Sequence, residues 1–187
     1  EKFLLGLEGD IQRQNAAVAR GAIEALAPLG WIINEKEILE GLAITNWPGR
    51  LQTVLWGEFP LRLDGAHNPL ATTHLSSERK KWQNQEEGLN WIIGVQSQKE
   101  GPTMIRDLLM PKDKAWIVPI PNHRSWTHSE LSEACPELSK QLFQAESIET
   151  VLSKLSTLEE SWPSPPPVVA GSLYLIGDLL SKNIITA

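Results

Sequence analysis

The chain has 187 residues and a net charge of −6, and 41% of its residues are hydrophobic while 21% are charged. This composition is ordinary for a soluble globular protein, and it disfavours a disordered chain or a membrane protein. Acidic and basic residues are mixed without a broad basic face, which disfavours nucleic acid as a partner. The single cysteine, Cys135, cannot form an internal disulfide and fits a reducing compartment such as the cytoplasm.

The first quarter of the chain has the pattern of helices. Residues 11–29 carry apolar or small side chains at helical spacing, and Asp10 is a candidate N-cap. Asn34 followed by Glu37 is typical of a capping box and predicts a second, short helix that ends near Gly41.

Beyond this segment, short apolar runs alternate with helical patterns. The runs lack a polar face, as in strands buried on both sides. We therefore expect an α/β, Rossmann-like fold: a mostly parallel, five- to six-stranded sheet with helices on both faces. The predicted strands lie at 51–56, 61–63, 91–95, 115–120 and 167–171. One helix is predicted on the surface, from Asn68 to about Glu87. Four more are predicted: at 101–110, after the Thr127–Glu130 capping box, after Ser147, and at 173–180.

The change in pattern predicts two parts. Residues 1–45 are expected to be the helical end of a central domain and a linker, and residues 46–187 to be a separate α/β domain. The first residue is Glu1 rather than Met, so we expect the chain to be a piece of a longer protein.

The stretch with most chemical information is LRLDGAHNP at residues 61–69. A strand delivers Asp64 to its carboxyl end, and in open α/β sheets ligands bind beyond those ends. The carboxylate of Asp64 can accept from ribose hydroxyls. His67 can donate to a phosphate, which the free amides of a helix start also favour. The alternative is that Asp64 and Asn68 only cap a turn.

Two more side chains are candidates for nucleotide contacts. Arg50 follows a Pro-Gly turn that could fix its guanidinium for a bidentate contact with phosphate. Gln12 and Asn15 lie three residues apart on one helical face, and an asparagine amide suits an adenine edge. The alternatives are a solvated surface arginine and a buried asparagine that the backbone satisfies.

Several common signatures are absent from the sequence. It has no G-x-x-x-x-G-K-[ST] phosphate loop and no G-x-G-x-x-G dinucleotide fingerprint. The four histidines and the one cysteine do not have the spacing of zinc ligands.

The sequence DGAHNP at 64–69, preceded by WPGRLQ at 47–52, resembles the signature of bacterial folylpolyglutamate synthases, which are often also dihydrofolate synthases. Residues 9–16 are similar to the Gly-x-His-Gln-x-x-Asn-Ala helix start of that family, and residues 169–175 are similar to its closing strand-turn-helix. The related Mur peptide ligases share the architecture, but several have Asp-Tyr-Ala-His at this strand end. Gly65 in place of the Tyr favours the folate branch.

The sequence departs from the family pattern at two places. Ile11 stands where the family has His. Residues 94–100 only partly keep a loop that ends Asp-Lys-Asp, although Lys99 remains. These departures bear more on the glutamate site than on the nucleotide contacts.

The resemblance implies an ATP-dependent amide ligase. ATP would phosphorylate a carboxylate of folate or dihydropteroate, and the amino group of L-glutamate would attack the acyl phosphate. The resemblance also implies that a preceding N-terminal domain supplies the phosphate loop and the Mg²⁺ ligands, so this fragment is expected to be inactive alone. A stand-alone binding module of the same fold and a Mur-type cell-wall ligase domain are the alternatives.

Positions that match the family motifs give a role to four candidates, and two more are chosen by their place in the predicted fold. His67 would lie beside the nucleotide or the acyl phosphate as the catalytic residue. Arg124 and Ser172, in loops after buried strands, are the candidates for holding glutamate. The remaining ATP contacts would be Asn15 with adenine, Arg50 with the phosphates and Asp64 with the ribose.

Overall fold

The computed structural model describes residues 3–158 and 161–186. The chain divides into two compact units, Glu1–Leu51 and Gln52–Ala187. This division falls six residues after the predicted boundary at 45/46, and the assignment of residues 1–45 to a central domain and linker stays a prediction.

The first unit contains the helices α1 (Asp10–Glu24) and α2 (Glu35–Ile44). Gly9, with φ of 103°, is the N-cap of α1 in place of the predicted Asp10, which lies in the first turn. The predicted capping box of α2 is present: Asn34 Oδ1 accepts from the Glu37 amide, and the Glu37 carboxylate accepts from the Asn34 amide, both at 3.0 Å. Helix α2 continues beyond Gly41, because a glycine weakens a helix without ending it.

The second unit is built on one six-stranded sheet with the order β1-β2-β6-β3-β4-β5. Strands β1 and β2 form an antiparallel hairpin, and every other neighbouring pair is parallel. The predicted mostly parallel sheet is confirmed. Its strands are β1 (Gln52–Trp56), β2 (Phe59–Asp64), β3 (Asn90–Ile93), β4 (Lys114–Ile117), β5 (Leu142–Gln144) and β6 (Val168–Ala170).

Helices cover both faces of this sheet. Ile92 of β3 and Val169 of β6 share a core cluster with the last two helices. Trp91, whose side chain points to the opposite face, is also fully buried and packs near Arg79 of the first helix of this unit. The helices are α3 (Pro69–Arg79), α4 (Gly101–Leu108), α5 (His128–Ala134), α6 (Ile148–Leu158) and α7 (Leu173–Ser181), with 3₁₀ turns at Ala27–Leu29, Gln85–Glu87 and Pro136–Gln141. None of the helices in the described ranges is long and apolar enough to cross a bilayer.

Helix α3 begins as predicted but ends early. Asn68 caps it and Pro69 is its first residue. It stops at Arg79 instead of near Glu87, and its last turn is buried rather than on the surface. The burial is explained by a partner distant in sequence: the Arg79 guanidinium forms a fully buried ion pair with Asp113, whose Oδ1 lies 3.1 Å from Nη2.

Short local signals in the second half of the chain are mostly confirmed. The predicted capping box of α5 is formed, and the main-chain hydrogen bond from Thr127 lowers the pKa of the Glu130 carboxyl. Ser147 Oγ accepts from the Thr150 amide at 3.1 Å, at the start of α6. Strand β5 has no sequence prediction, because its three residues are too few to show a period.

Candidate active site

The four central parallel strands end at one level. Asp64 at the end of β2 pairs with Ala170 of β6, and Ala170 pairs on its other side with Ile93 of β3. Ile93 in turn pairs with Ile117 of β4. The loops that follow these strands therefore leave from one side of the sheet, the position at which open α/β sheets bind ligands. We call these loops, residues 65–68, 171–172, 94–100 and 118–127, the carboxyl edge.

The β2–α3 loop places Asp64 and His67 at this edge. Asp64 Oδ1 accepts from the Ala66 amide at 2.9 Å, which closes a tight turn. His67 Nδ1 lies 2.7 Å from the Gly65 carbonyl oxygen. A carbonyl can only accept, so Nδ1 carries a proton and Nε2 is the ring atom left to meet a ligand. Asn68 Oδ1 accepts from the Ala71 amide and caps α3.

The β6–α7 loop brings Ser172 to the same edge. Gly171 has φ of 101°, and a Cβ there would lie 2.5 Å from the Gly94 carbonyl oxygen. Only glycine fits this close approach of the ends of β6 and β3. Ser172 is buried, and its hydroxyl accepts from the Tyr174 amide at 3.2 Å, so it caps α7.

The β4–α5 loop carries Arg124, with an exposed side chain. Sequence reasoning missed a side-chain cluster beside it. Gln96 Nε2 lies 3.3 Å from His123 Nδ1, and the His123 ring stacks on Tyr174 with centroids 4.1 Å apart. The only tyrosine of the chain, directly behind a helix cap, was the signal that could have indicated it.

In the first unit, Gln12 and Asn15 do share a helix face. Asn15 Nδ2 donates to Gln12 Oε1 at 3.0 Å, and both line a hollow of about 160 Å³. Small-molecule pockets usually measure at least about 300 Å³, so this hollow could take only part of a nucleotide. Its other lining residues are Leu5, Leu7, Ala16, Ala19, Leu42 and Thr45.

Arg50 is half-buried near the end of the first unit. Its guanidinium belongs to none of the ion pairs among the described residues. Asp64 belongs to the second unit, and the predicted contacts of Arg50 with the ATP phosphates and of Asp64 with the ribose stay predictions. No group of three or more His, Cys, Asp or Glu residues that could hold a metal ion occurs in the described part of the chain.

Comparison with known proteins identifies the family. Residues 50–182 match the family model of the dihydrofolate synthetase C-terminal domain. The dihydrofolate synthetase of Saccharomyces cerevisiae is 30% identical over 193 residues, which cover 94% of this chain and 44% of that protein. The folylpolyglutamate synthase of Lacticaseibacillus casei is 30% identical over 171 residues, which cover 90% of this chain and 37% of that protein.

A solved structure shows the same fold. Mycobacterium tuberculosis folylpolyglutamate synthase complexed with ADP matches with a TM-score of 0.78 and 20% identity, over 95% of this chain and 41% of that one. The chain thus spans less than half the length of these relatives. The resemblance read from the motifs is confirmed, and the chain belongs to the family of dihydrofolate synthetase C-terminal domains.

Proposed function

We propose that this chain is the C-terminal part of an ATP-dependent ligase that joins L-glutamate to dihydropteroate or to a folate through an acyl phosphate. Membership of the dihydrofolate synthetase C-terminal family supports the proposal. The observation that carries it is the strand register. Asp64, at the end of β2, pairs with Ala170 of β6, and Ser172 follows Ala170 by two residues. An acid, a histidine and a helix cap on one sheet edge suit a substrate with both ribose and phosphate groups.

Four side chains are the proposed nucleotide contacts. The Asp64 carboxylate would accept from the ribose, and His67 Nε2 would meet a phosphate oxygen as a donor when the ring is protonated. Asn15 would contact the adenine edge and Arg50 the phosphates. The ADP complex of the Mycobacterium tuberculosis relative supports a nucleotide in this fold.

Glutamate would bind farther along the same edge. Arg124 offers a guanidinium for a carboxylate. Ser172 is already committed as an acceptor in the α7 cap, so its hydroxyl would contribute by donating its proton. Both assignments follow from the loops in which these residues lie.

The upstream part of the protein, in this proposal, supplies the phosphate loop and the Mg²⁺ ligands. Mg²⁺ would neutralise charge on the transferred phosphoryl group. Catalysis would then consist mainly of positioning and charge stabilisation. We expect the reaction in the cytoplasm, where a single thiol stays reduced.

The test is an assay of the full-length protein with ATP, L-glutamate and either dihydropteroate or tetrahydrofolate. We expect ADP release that requires both glutamate and the pterin substrate, and a hydroxamate product when hydroxylamine replaces glutamate. ADP release only with a nucleotide-linked muramoyl peptide would show a cell-wall ligase. Nucleotide binding without turnover on any acceptor would show a binding module, and either result would overturn the proposal.

A further inference from the structure

Two loops of the carboxyl edge, 94–100 and 118–127, are tied together by hydrogen bonds. The Ser97 amide donates to the Arg124 carbonyl at 3.0 Å, and Gln96 and Ser125 form an antiparallel bridge. The main-chain and indole N–H groups of Trp126 both donate to carbonyls of the first loop, at 2.8 and 2.9 Å. Loops fixed in this way can hold a side chain in one orientation before a substrate arrives.

His123 is the side chain that these loops orient. Its amide donates to the Ile120 carbonyl at 3.1 Å, in a turn that Asn122 completes with φ of 60°. Gln96 Nε2 lies 3.3 Å from His123 Nδ1. An amide NH₂ can only donate, so Nδ1 accepts and the neutral ring carries its proton on Nε2. The remaining polar atom of the ring is therefore an N–H donor.

Tyr174 fixes the plane of this ring. The two ring centroids are 4.1 Å apart with an angle of 36° between the planes. Tyr174 is 57% exposed, and it is the second residue of α7, just behind the Ser172 cap. A half-exposed aromatic pair with one oriented N–H donor is typical of a recognition surface, whereas a core pair would be closed off from solvent.

The charge around the pair favours an anion. Arg124 follows His123 directly, and none of the ion pairs in the described ranges uses either residue. Arg124 acts electrostatically on the Glu130 carboxylate without forming an ion pair with it, so neither residue's donors are bonded to a carboxylate in the described ranges. A carboxylate of a substrate at this edge would accept from His123 Nε2 and gain from the nearby guanidinium.

We propose that His123 is a specificity-determining residue whose Nε2–H binds the side-chain carboxylate of the amino acid that the ligase accepts. The inference rests on the proposed function, because it concerns the glutamate substrate of that reaction. Gln96 and Tyr174 act as positioning residues: the first sets the tautomer of the ring and the second sets its plane.

His123→Phe in the full-length protein tests this role. Phenylalanine keeps a ring on Tyr174 and removes the N–H donor. We expect the KM for L-glutamate to rise at least about tenfold, as for a lost hydrogen bond to a charged group. The KM values for ATP and for dihydropteroate should stay unchanged. The preference in kcat/KM for glutamate over glutamine, its neutral isostere, should shrink by a similar factor.

His74→Phe, on α3 and outside the carboxyl-edge loops, is the matched control and should leave every constant unchanged. An unchanged glutamate KM in an active His123→Phe variant would overturn this inference alone. An equal fall in kcat/KM for all substrates, with a lower melting temperature, would show a structural role and would also overturn it. A wild-type protein that releases no ADP with glutamate would overturn both this inference and the proposed function.

Discussion

At the scale of single residues, the buried side chain of Asp113 is a centre of hydrogen bonding. Its carboxylate accepts from the Arg79 guanidinium, from the Leu89 and Met110 amides and from the Trp91 indole, and its side chain is fully buried. A buried charge is tolerated only when it is paired and hydrogen-bonded. This one carboxylate therefore joins the end of α3 to the starts of β3 and β4.

We expect Arg79→Met to lower the free energy of unfolding by about 3–5 kcal/mol, because it leaves a buried charge without its partner. Asp113→Leu should be more destabilising still, since it leaves buried Arg79 and three further donors without an acceptor. Urea unfolding with equal m-values measures both changes. Arg106→Met, which breaks an exposed pair with Glu137, is the control and should have a much smaller effect. A smaller loss for Asp113→Leu than for Arg79→Met would contradict this account.

Arg50 is the residue on which the proposed phosphate contact depends. Arg50→Ala in the full-length protein should lower kcat/KM for ATP by about a hundredfold, the usual cost of removing one charge-stabilising donor. The fold should remain, as judged by an unchanged melting temperature. Arg13→Ala, an exposed arginine on α1, is the control. Wild-type kinetics for Arg50→Ala would remove this residue from the nucleotide site.

At the scale of elements, the turn from β6 into α7 allows a direct comparison of two glycines. Gly171 has a positive φ and faces the Gly94 carbonyl, whereas nothing lies within 4 Å of a Cβ built on Gly177 in α7. Gly171→Ala should cost at least about 1–3 kcal/mol of unfolding free energy, because the backbone is strained and the carbonyl must move. Gly177→Ala should stabilise by up to about 1 kcal/mol through helix propensity. Chemical denaturation of the two variants tests the pair, and a stable Gly171→Ala variant would contradict the required close approach.

Local signals predicted the elements whose ends are set by neighbouring residues. The capping boxes at Asn34 and Thr127 and the Asn68 cap each depend on contacts three residues apart, which a sequence displays directly. The burial of Arg79 at the end of α3 was missed because its partner Asp113 lies 34 residues away. Strand β5 was missed because its pairing with β4 supplies the structure that its three residues do not specify.

The same distinction applies to the candidate site. Asp64 and His67 became candidates because a strand, a turn and a helix cap occur in one unbroken motif. The cluster of Gln96, His123 and Tyr174 draws on two loops and the first turn of α7, and only the parallel register of β3, β4 and β6 assembles it.

At the scale of the whole molecule, we expect the 187-residue chain alone not to catalyse the ligase reaction. It has no phosphate loop in its sequence, and an acyl phosphate cannot form without a site for the ATP phosphates. We expect no ADP release above background from the isolated chain under the conditions in which the full-length protein is active. A cooperative thermal transition of the isolated chain is the control for folding. Folate glutamylation by the isolated chain would contradict the proposal that the upstream part of the protein supplies the phosphate loop.

The position of β6 in the sheet has a consequence for biosynthesis. Strand β6 is the last of the six strands in chain order, yet it lies between β2 and β3, which are made much earlier. Until it arrives, both earlier strands present a bare backbone edge that can pair with other nascent chains. The sheet of this unit is therefore completed at its centre, when β6 inserts between β2 and β3. Slow translation upstream of β6 should accordingly favour aggregation.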